Sequence, residues 1–171
     1  MKLELVLDEV DLPWSPAPDW VARLERLVTS AGPAEAVLQV VLTDDGTLHR
    51  HNRDFREVDE PTDVLSFSYL EGHEDHRAAL LGGDAEVEPF LTDPHPPGED
   101  VVAGQLLVSV PYVLRRGNVH QDSTEAEMTF MAVHGLLHVL GFDHYDDEGL
   151  AEMQNAEREL MGRWSAAERE E

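Results

Sequence analysis

Three histidines near the C-terminal end of the chain constrain its fold more than any other feature. His134 and His138 lie in an apolar run long enough for a helix, and His144 follows shortly after Gly141. On a helix, residues i and i+4 share one face, so the first two imidazoles can reach a single ion. Glycine tolerates positive φ, so Gly141 is a suitable place for the helix to end and for the chain to bring His144 back.

This donor set predicts one bound metal ion. The chain of 171 residues contains no cysteine, which excludes thiolate ligands and disulfides. Neutral imidazoles are typical ligands of zinc and similar divalent metals. Three protein ligands leave a fourth position for water, which is the arrangement of a catalytic site rather than a closed structural one. We therefore expect His134, His138 and His144 to bind Zn²⁺ or another divalent ion.

The spacing of the histidines also matches the H-E-x-x-H-x-x-G-x-x-H pattern of metalloproteases. In those enzymes the glutamate after the first histidine is the general base. Gly135 stands at that position here. Because the ligand pattern is present and the proteolytic base is absent, the sequence predicts metal-assisted hydrolysis of a substrate other than a peptide.

Chain length and net charge limit the number of domains and the classes of partner that this sequence can have. The 171 residues suggest a single domain, and the formal net charge is -24, from 36 acidic and 12 basic residues. So acidic a chain should not bind nucleic acid broadly, since such binding depends on neutralising phosphates. An RNA substrate would need a local basic patch or the charge of a metal ion. Acidic residues interrupt the N-terminal apolar pattern, so we expect no signal peptide, no membrane span and a cytoplasmic location.

The hydrophobic pattern predicts an α+β fold with one mixed β-sheet packed with helices. A long acidic loop is expected at residues 71–100, where His73, His76 and His95 are interpreted as solvated side chains. A capping box at Thr124–Glu127 should begin the metal-bearing helix. The predicted strands span 2–10, 34–43, 62–69 and 101–110, and the other predicted helices span 19–30, 44–58, 111–118 and 146–162.

Two further stretches, taken together with the histidines, resemble segments of a known protein family. Residues 52–56 read Asn-Arg-Asp-Phe-Arg, and residues 61–67 read Pro-Thr-Asp-Val-Leu-Ser-Phe. Both closely resemble segments of the YbeY family of endoribonucleases. The histidine stretch 134–144 looks like that family's His-Gly-x-Leu-His-x-x-Gly-x-Asp-His signature. Val-Ser-Val-Pro at 108–111 and His120 also fall where the family has similar residues.

The resemblance implies a metal-dependent, single-strand-specific endoribonuclease with a small α+β fold. Such proteins act in ribosomal RNA maturation, notably at the 3′ end of small-subunit RNA, and in ribosome quality control. The matched metal ligands are His134, His138 and His144, and the matched catalytic residue is Arg56. Ribosomal RNA and ribosomal particles are the implied partners. The net charge separately favours a protein partner for targeting, because so acidic a chain should find naked RNA slowly.

The chain departs from the family pattern at Gln105, where an aspartate is usual, and in the length and acidity of the loop at 71–100. Asp143 is either an acceptor for a ligand N–H or a cap of the turn. Phe142 and Tyr145 are interpreted as packing residues rather than base-stacking residues. The attacking nucleophile, water or the RNA 2′-hydroxyl, stays open.

Two other functions are compatible with parts of the pattern. A non-catalytic, metal-binding ribosome assembly factor would use the same three histidines for a structural ion. The open coordination position and Arg56 argue against that interpretation. A metallopeptidase would share the ligand spacing, but Gly135 in place of glutamate argues against it.

Overall fold

The computed structural model describes residues 1–32, 36–70, 100–117, 121 and 123–168. Within them the strands form one mixed sheet in the order β1-β2-β4-β3. Strand β2 pairs in parallel with β1 and with β4, and the edge strand β3 pairs antiparallel with β4. The predicted mixed sheet is therefore confirmed. The strands are β1 (Lys2–Leu7), β2 (Ala36–Thr43), β3 (Val64–Ser68) and β4 (Val101–Ser109).

The helices of the described residues follow the predicted order. They are α1 (Pro18–Ala31), α2 (Asp45–Arg56), α3 (Val110–Arg116), α4 (Thr124–Val139) and α5 (Asp147–Glu168). Helix α5 continues past the predicted end at residue 162 because Trp164, which is 2% exposed, packs into the core. The predicted capping box is wrong by one residue. Ser123 caps α4 by accepting from the Ala126 N–H, and Glu127 instead accepts from the Gln121 N–H.

The helices cover the two faces of the sheet unequally. The main core joins α1, α4 and α5 to one face, and its largest fully buried side chains include Trp20, Leu106 and Leu137. Helix α2 covers part of the other face through Leu48, which lies against Leu65 and Leu107. Helix α4, which carries His134 and His138, is thus held between the sheet and α5.

Two glycines allow α4 to lie close to strand β4. A Cβ atom at Gly135 would lie 2.7 Å from a Leu106 methyl carbon, and one at Gly104 would lie 2.6 Å from Val139. Side chains at these positions would need the helix or its neighbours to shift. A glutamate at position 135 would therefore require Leu106 to move, so this packing suits the glycine that stands at the position of the protease-type base.

Most of the predicted acidic loop, with His73, His76 and His95, lies outside the described residues. Asp100 at its end forms an ion pair with Lys2, with 2.5 Å between Nζ and Oδ1. No helix within the described part of the chain is both long and apolar enough to cross a bilayer.

Candidate metal centre

The end of helix α4 and the turn after it bring the three histidines together. Gly141 adopts φ 89°, in the left-handed region. Its N–H donates to the His138 carbonyl at 3.1 Å, and the Phe142 N–H donates to the Leu137 carbonyl at 2.9 Å. This pair of hydrogen bonds is the Schellman motif, which reverses the chain after a helix. The reversal places His144 beside the helix face that carries the other two imidazoles.

The distances among the imidazoles suit one divalent ion. One ring nitrogen from each of His134, His138 and His144 lies within 4.8 Å of the other two. The Nε2 atoms of His134 and His138 are 3.2 Å apart. Tetrahedral zinc with Zn–N bonds of about 2.0–2.1 Å places its ligand atoms roughly 3.4 Å apart. The donor set therefore fits a zinc-like ion with at least one further coordination position.

Acceptors on the other side of two imidazoles orient these rings. The Nδ1 atom of His134 lies 2.8 Å from Glu157 Oε1 on α5, and that of His138 lies 3.0 Å from the Phe142 carbonyl oxygen. An N–H donated from Nδ1 leaves the Nε2 lone pair available, which is the tautomer that a metal ion requires. The two acceptors thus prepare both rings to bind through Nε2.

Glu157 is a residue that sequence reasoning missed. The sequence carried a signal, because Glu157 lies between Met153 and Leu160 on the buried face of α5, where an acidic residue is unexpected. Asp143, considered as an acceptor for a ligand N–H, instead accepts from the Tyr145 N–H at 3.3 Å. It therefore caps the turn, which was the other interpretation of that residue.

The environment keeps His138 uncharged. Burial, followed by the charges of the neighbouring His134, His144 and Arg56, lowers the pKa of His138 to about 4, against the opposite effect of the Phe142 carbonyl. A neutral imidazole is the form that binds metal. His138 is therefore ready to act as a ligand at neutral pH without first losing a proton.

Arg56 lies at the end of α2, on the side of the site formed by the edge strand β3. Its guanidinium donates to the Ser66 carbonyl at 3.5 Å, and its positive charge contributes to the lowered pKa of His138. Two other arginines of α2, each at a spacing of three residues toward its start, bond within their own helix. Arg50 donates to Thr47 at 3.0 Å, and Arg53 donates to Asp54 at 3.0 Å.

Three other predicted positions differ in their surroundings. Gln105 donates to the Gln39 side chain at 3.3 Å across the sheet, so it takes no part in the histidine cluster. Phe142 is 3% exposed, which confirms its interpretation as a packing residue. The same interpretation of Tyr145 is wrong, because this side chain is 92% exposed.

Known proteins are similar to this chain over most of its length. Residues 17–165 match the model of a family described as "Endoribonuclease YbeY". A relative of that name from Moorella thermoacetica is 34% identical, with 82% of this chain and 84% of the relative covered. Another from Desulfitobacterium hafniense is 32% identical, with 94% of this chain and 96% of the relative covered.

A solved structure is also similar over its length. The solution structure of TM1509 from Thermotoga maritima has 20% identity and a TM-score of 0.49, over 98% of this chain and 96% of that one. The family match spans the whole site, from the arginine of α2 to the histidines of α4 and of the turn after it, and to the glutamate of α5. The chain therefore belongs to the YbeY endoribonuclease family.

Proposed function

We propose that this chain is a metal-dependent endoribonuclease that cuts single-stranded ribosomal RNA in the cytoplasm. Its substrate would include the 3′ end of small-subunit RNA, in rRNA maturation and ribosome quality control. The observation that carries the proposal is the convergence of three imidazoles within 4.8 Å, beside Arg56, in a chain of this family.

The proposed metal ligands are His134, His138 and His144, with Zn²⁺ as the ion. A bound zinc ion supplies a Lewis acid that polarises phosphoryl oxygen and lowers the pKa of water. The Glu157 carboxylate holds the proton at Nδ1 of His134 and so keeps Nε2 directed at the ion. The Phe142 carbonyl does the same for His138.

Arg56 is the proposed catalytic residue. Its guanidinium is always charged and presents a planar set of donors that fits phosphate oxygens. Placed next to the imidazoles, it can hold the scissile phosphate and stabilise the charge that develops in the transition state. Its hydrogen bond to Ser66 at 3.5 Å is long, so the guanidinium can turn to a phosphate at little cost.

The net charge of -24 supports a targeted substrate rather than any RNA. A surface so acidic repels polyanions at long range. Ribosomal particles, or a protein partner bound to them, would deliver the RNA to the site. The alternative function is a metal-binding assembly factor without activity, and the accessible Arg56 beside the imidazoles favours the enzyme.

Substitution of Arg56 separates these two functions. We expect Arg56→Ala to retain bound zinc and to lower RNA cleavage by about a hundredfold or more, the usual cost of removing one group that stabilises transition-state charge. Arg53→Ala is the matched control, since Arg53 lies on the same helix and pairs with Asp54. Equal cleavage rates for wild type and Arg56→Ala, at equal zinc content, would contradict the catalytic role.

A further inference from the structure

A cavity adjoins the histidine cluster, and Arg56 is not among its lining residues. It has a volume of about 320 Å³ and lies between the start of β3, helix α4 and helix α5, with His134 and His144 in its wall. Ligand sites of this size, roughly 300 Å³, are at the small end of the usual range. The cavity therefore suits one small group of a larger substrate rather than a whole oligonucleotide.

The charges in the cavity wall argue against a phosphate as its occupant. The Arg116 guanidinium forms an ion pair with Asp63 and lies 4.0 Å from Glu127. The remaining acidic group, Glu157, bonds to His134 at 2.8 Å. Since the carboxylates compensate the single guanidinium, the lining side chains carry no net positive charge, and an anionic group would meet one only at the ion that His134 and His144 are proposed to bind. An uncharged group is favoured.

The rest of the wall has the chemistry of a nucleobase site. Phe130 is partly exposed and lies with its ring centroid 6.3 Å from that of His134. The apolar side chains of Leu150 and Met153 line the cavity from α5. Bases in single-stranded RNA are commonly bound by stacking on an aromatic ring and by hydrogen bonds to their edges.

Gln154 supplies a suitable polar group. Its side chain lines the cavity and is exposed, and among the described residues it has no hydrogen-bond partner. A primary amide offers both donors and an acceptor. The amide can therefore form two hydrogen bonds with a base edge that presents both a donor and an acceptor.

We propose that this cavity binds the base of a nucleotide adjacent to the scissile phosphate. Phe130 lies against the face of the base, and Gln154 hydrogen-bonds to its edge. The inference rests on the proposed ribonuclease function, and it makes Gln154 a specificity-determining residue for the sequence at the cut.

A binding experiment tests the site without requiring cleavage. Methionine methyl groups are labelled with ¹³C in zinc-loaded protein, and a nucleoside 5′-monophosphate or ribose 5-phosphate is added at millimolar concentration. We expect the nucleotides to shift the signals of Met131 and Met153, which line the cavity, and ribose 5-phosphate to leave them unchanged. Met1 and Met128, which lie elsewhere in the core, are internal controls. Equal shifts with ribose 5-phosphate, or none with any nucleotide, would overturn the proposal.

A cleavage experiment tests specificity. Single-stranded RNA with randomised positions is digested by wild type, Gln154→Leu and Asn155→Leu, and the product ends are sequenced. We expect wild type to prefer one base at one position next to the cut by about tenfold. Gln154→Leu should lose that preference, whereas Asn155→Leu, on the same helix but outside the cavity, should keep it.

The two experiments separate the failure of this inference from that of the proposed function. Cleavage by wild type with no preference, or with one that Gln154→Leu retains, overturns the base site and leaves the ribonuclease. Nucleotide binding in the cavity without cleavage of any RNA supports the base site and contradicts the ribonuclease function.

Discussion

At the scale of single residues, the backbone of Gly141 decides where His144 lies. This glycine has φ 89° and follows Leu140, the C-cap residue of α4. An L-residue in that conformation brings its Cβ close to the following carbonyl oxygen, at a cost of roughly 1–2 kcal/mol. The geometry of the histidine cluster therefore depends on a residue that makes no side-chain contact with it.

We expect Gly141→Ala to destabilise the protein by about 1 kcal/mol, because the strain exceeds the entropy that alanine removes from the unfolded chain. Thermal unfolding should show a midpoint lower by about 2–4 °C. Gly162→Ala is the control, since a Cβ there meets nothing within 4 Å and alanine favours a helix. A midpoint for Gly141→Ala equal to or above that of wild type would contradict this account.

The sequence predicted local features well and distant partners poorly. The spacing of the histidines and the glycine between them predicted the α4 turn, because both are set by helix periodicity and backbone sterics. Glu157 could not be assigned to His134, since their contact depends on how α5 packs on α4. Ser123 displaced Thr124 as the cap because helix bounds depend on the tertiary contacts of the first turn.

At the scale of elements, helix α5 supports the histidine cluster at the end of α4. Its buried face contributes Met153, Ala156 and Leu160 to the core, and the same face presents Glu157 to His134. A shift of α5 relative to α4 would therefore move the carboxylate that orients His134, one of the proposed metal ligands.

We expect Glu157→Gln to weaken zinc binding by about 10–100-fold, the usual effect of losing such a partner of a ligand histidine. Glutamine keeps the size of the side chain but not the charge that favours the correct tautomer. The measurement is a competition titration with a chelator of known affinity. Glu159→Gln is the control, since Glu159 is exposed on the same helix and pairs with Arg163. Equal zinc affinities for wild type and Glu157→Gln would show that the contact does not support the site.

Hydrophobic periodicity predicted the existence and order of the elements, whereas their pairing had to come from the structure. The parallel register of β2 with β4 is interrupted between Val37 and Leu38, and no local pattern indicates that irregularity. Helix α5 extends to Glu168 because Trp164 is buried. The hydrophobic periodicity near the C-terminus did not indicate this burial.

At the scale of the whole molecule, charge should govern how RNA reaches the site. With a net charge of -24, this chain offers few cations for phosphate contacts beyond Arg56 and a bound ion. For single-stranded RNA the salt slope of log K is about -0.7 per phosphate neutralised. Long-range repulsion also becomes weaker as salt rises.

We therefore expect a shallow salt dependence, with a slope of roughly -0.7 to -1.4 for one or two phosphate contacts. The measurement is a fluorescence titration of zinc-loaded protein with 2′-O-methyl RNA. The length of the RNA is checked afterwards, to verify that the protein did not cut it during the titration. Arg56→Ala should remove about one phosphate contact and so reduce the size of the slope by about 0.7. Tight binding at moderate salt with a steep slope would contradict the view that targeting comes from ribosomal particles or a partner.

The central claim is that the three imidazoles hold a metal ion that RNA cleavage requires. The most direct measurement compares cleavage of ribosomal RNA by zinc-loaded wild type, chelated wild type and His138→Ala supplied with zinc. We predict cleavage by the first form only. Cleavage that persists after chelation or in His138→Ala would contradict the claim, as would zinc-loaded wild type that cuts neither naked ribosomal RNA nor intact ribosomal particles.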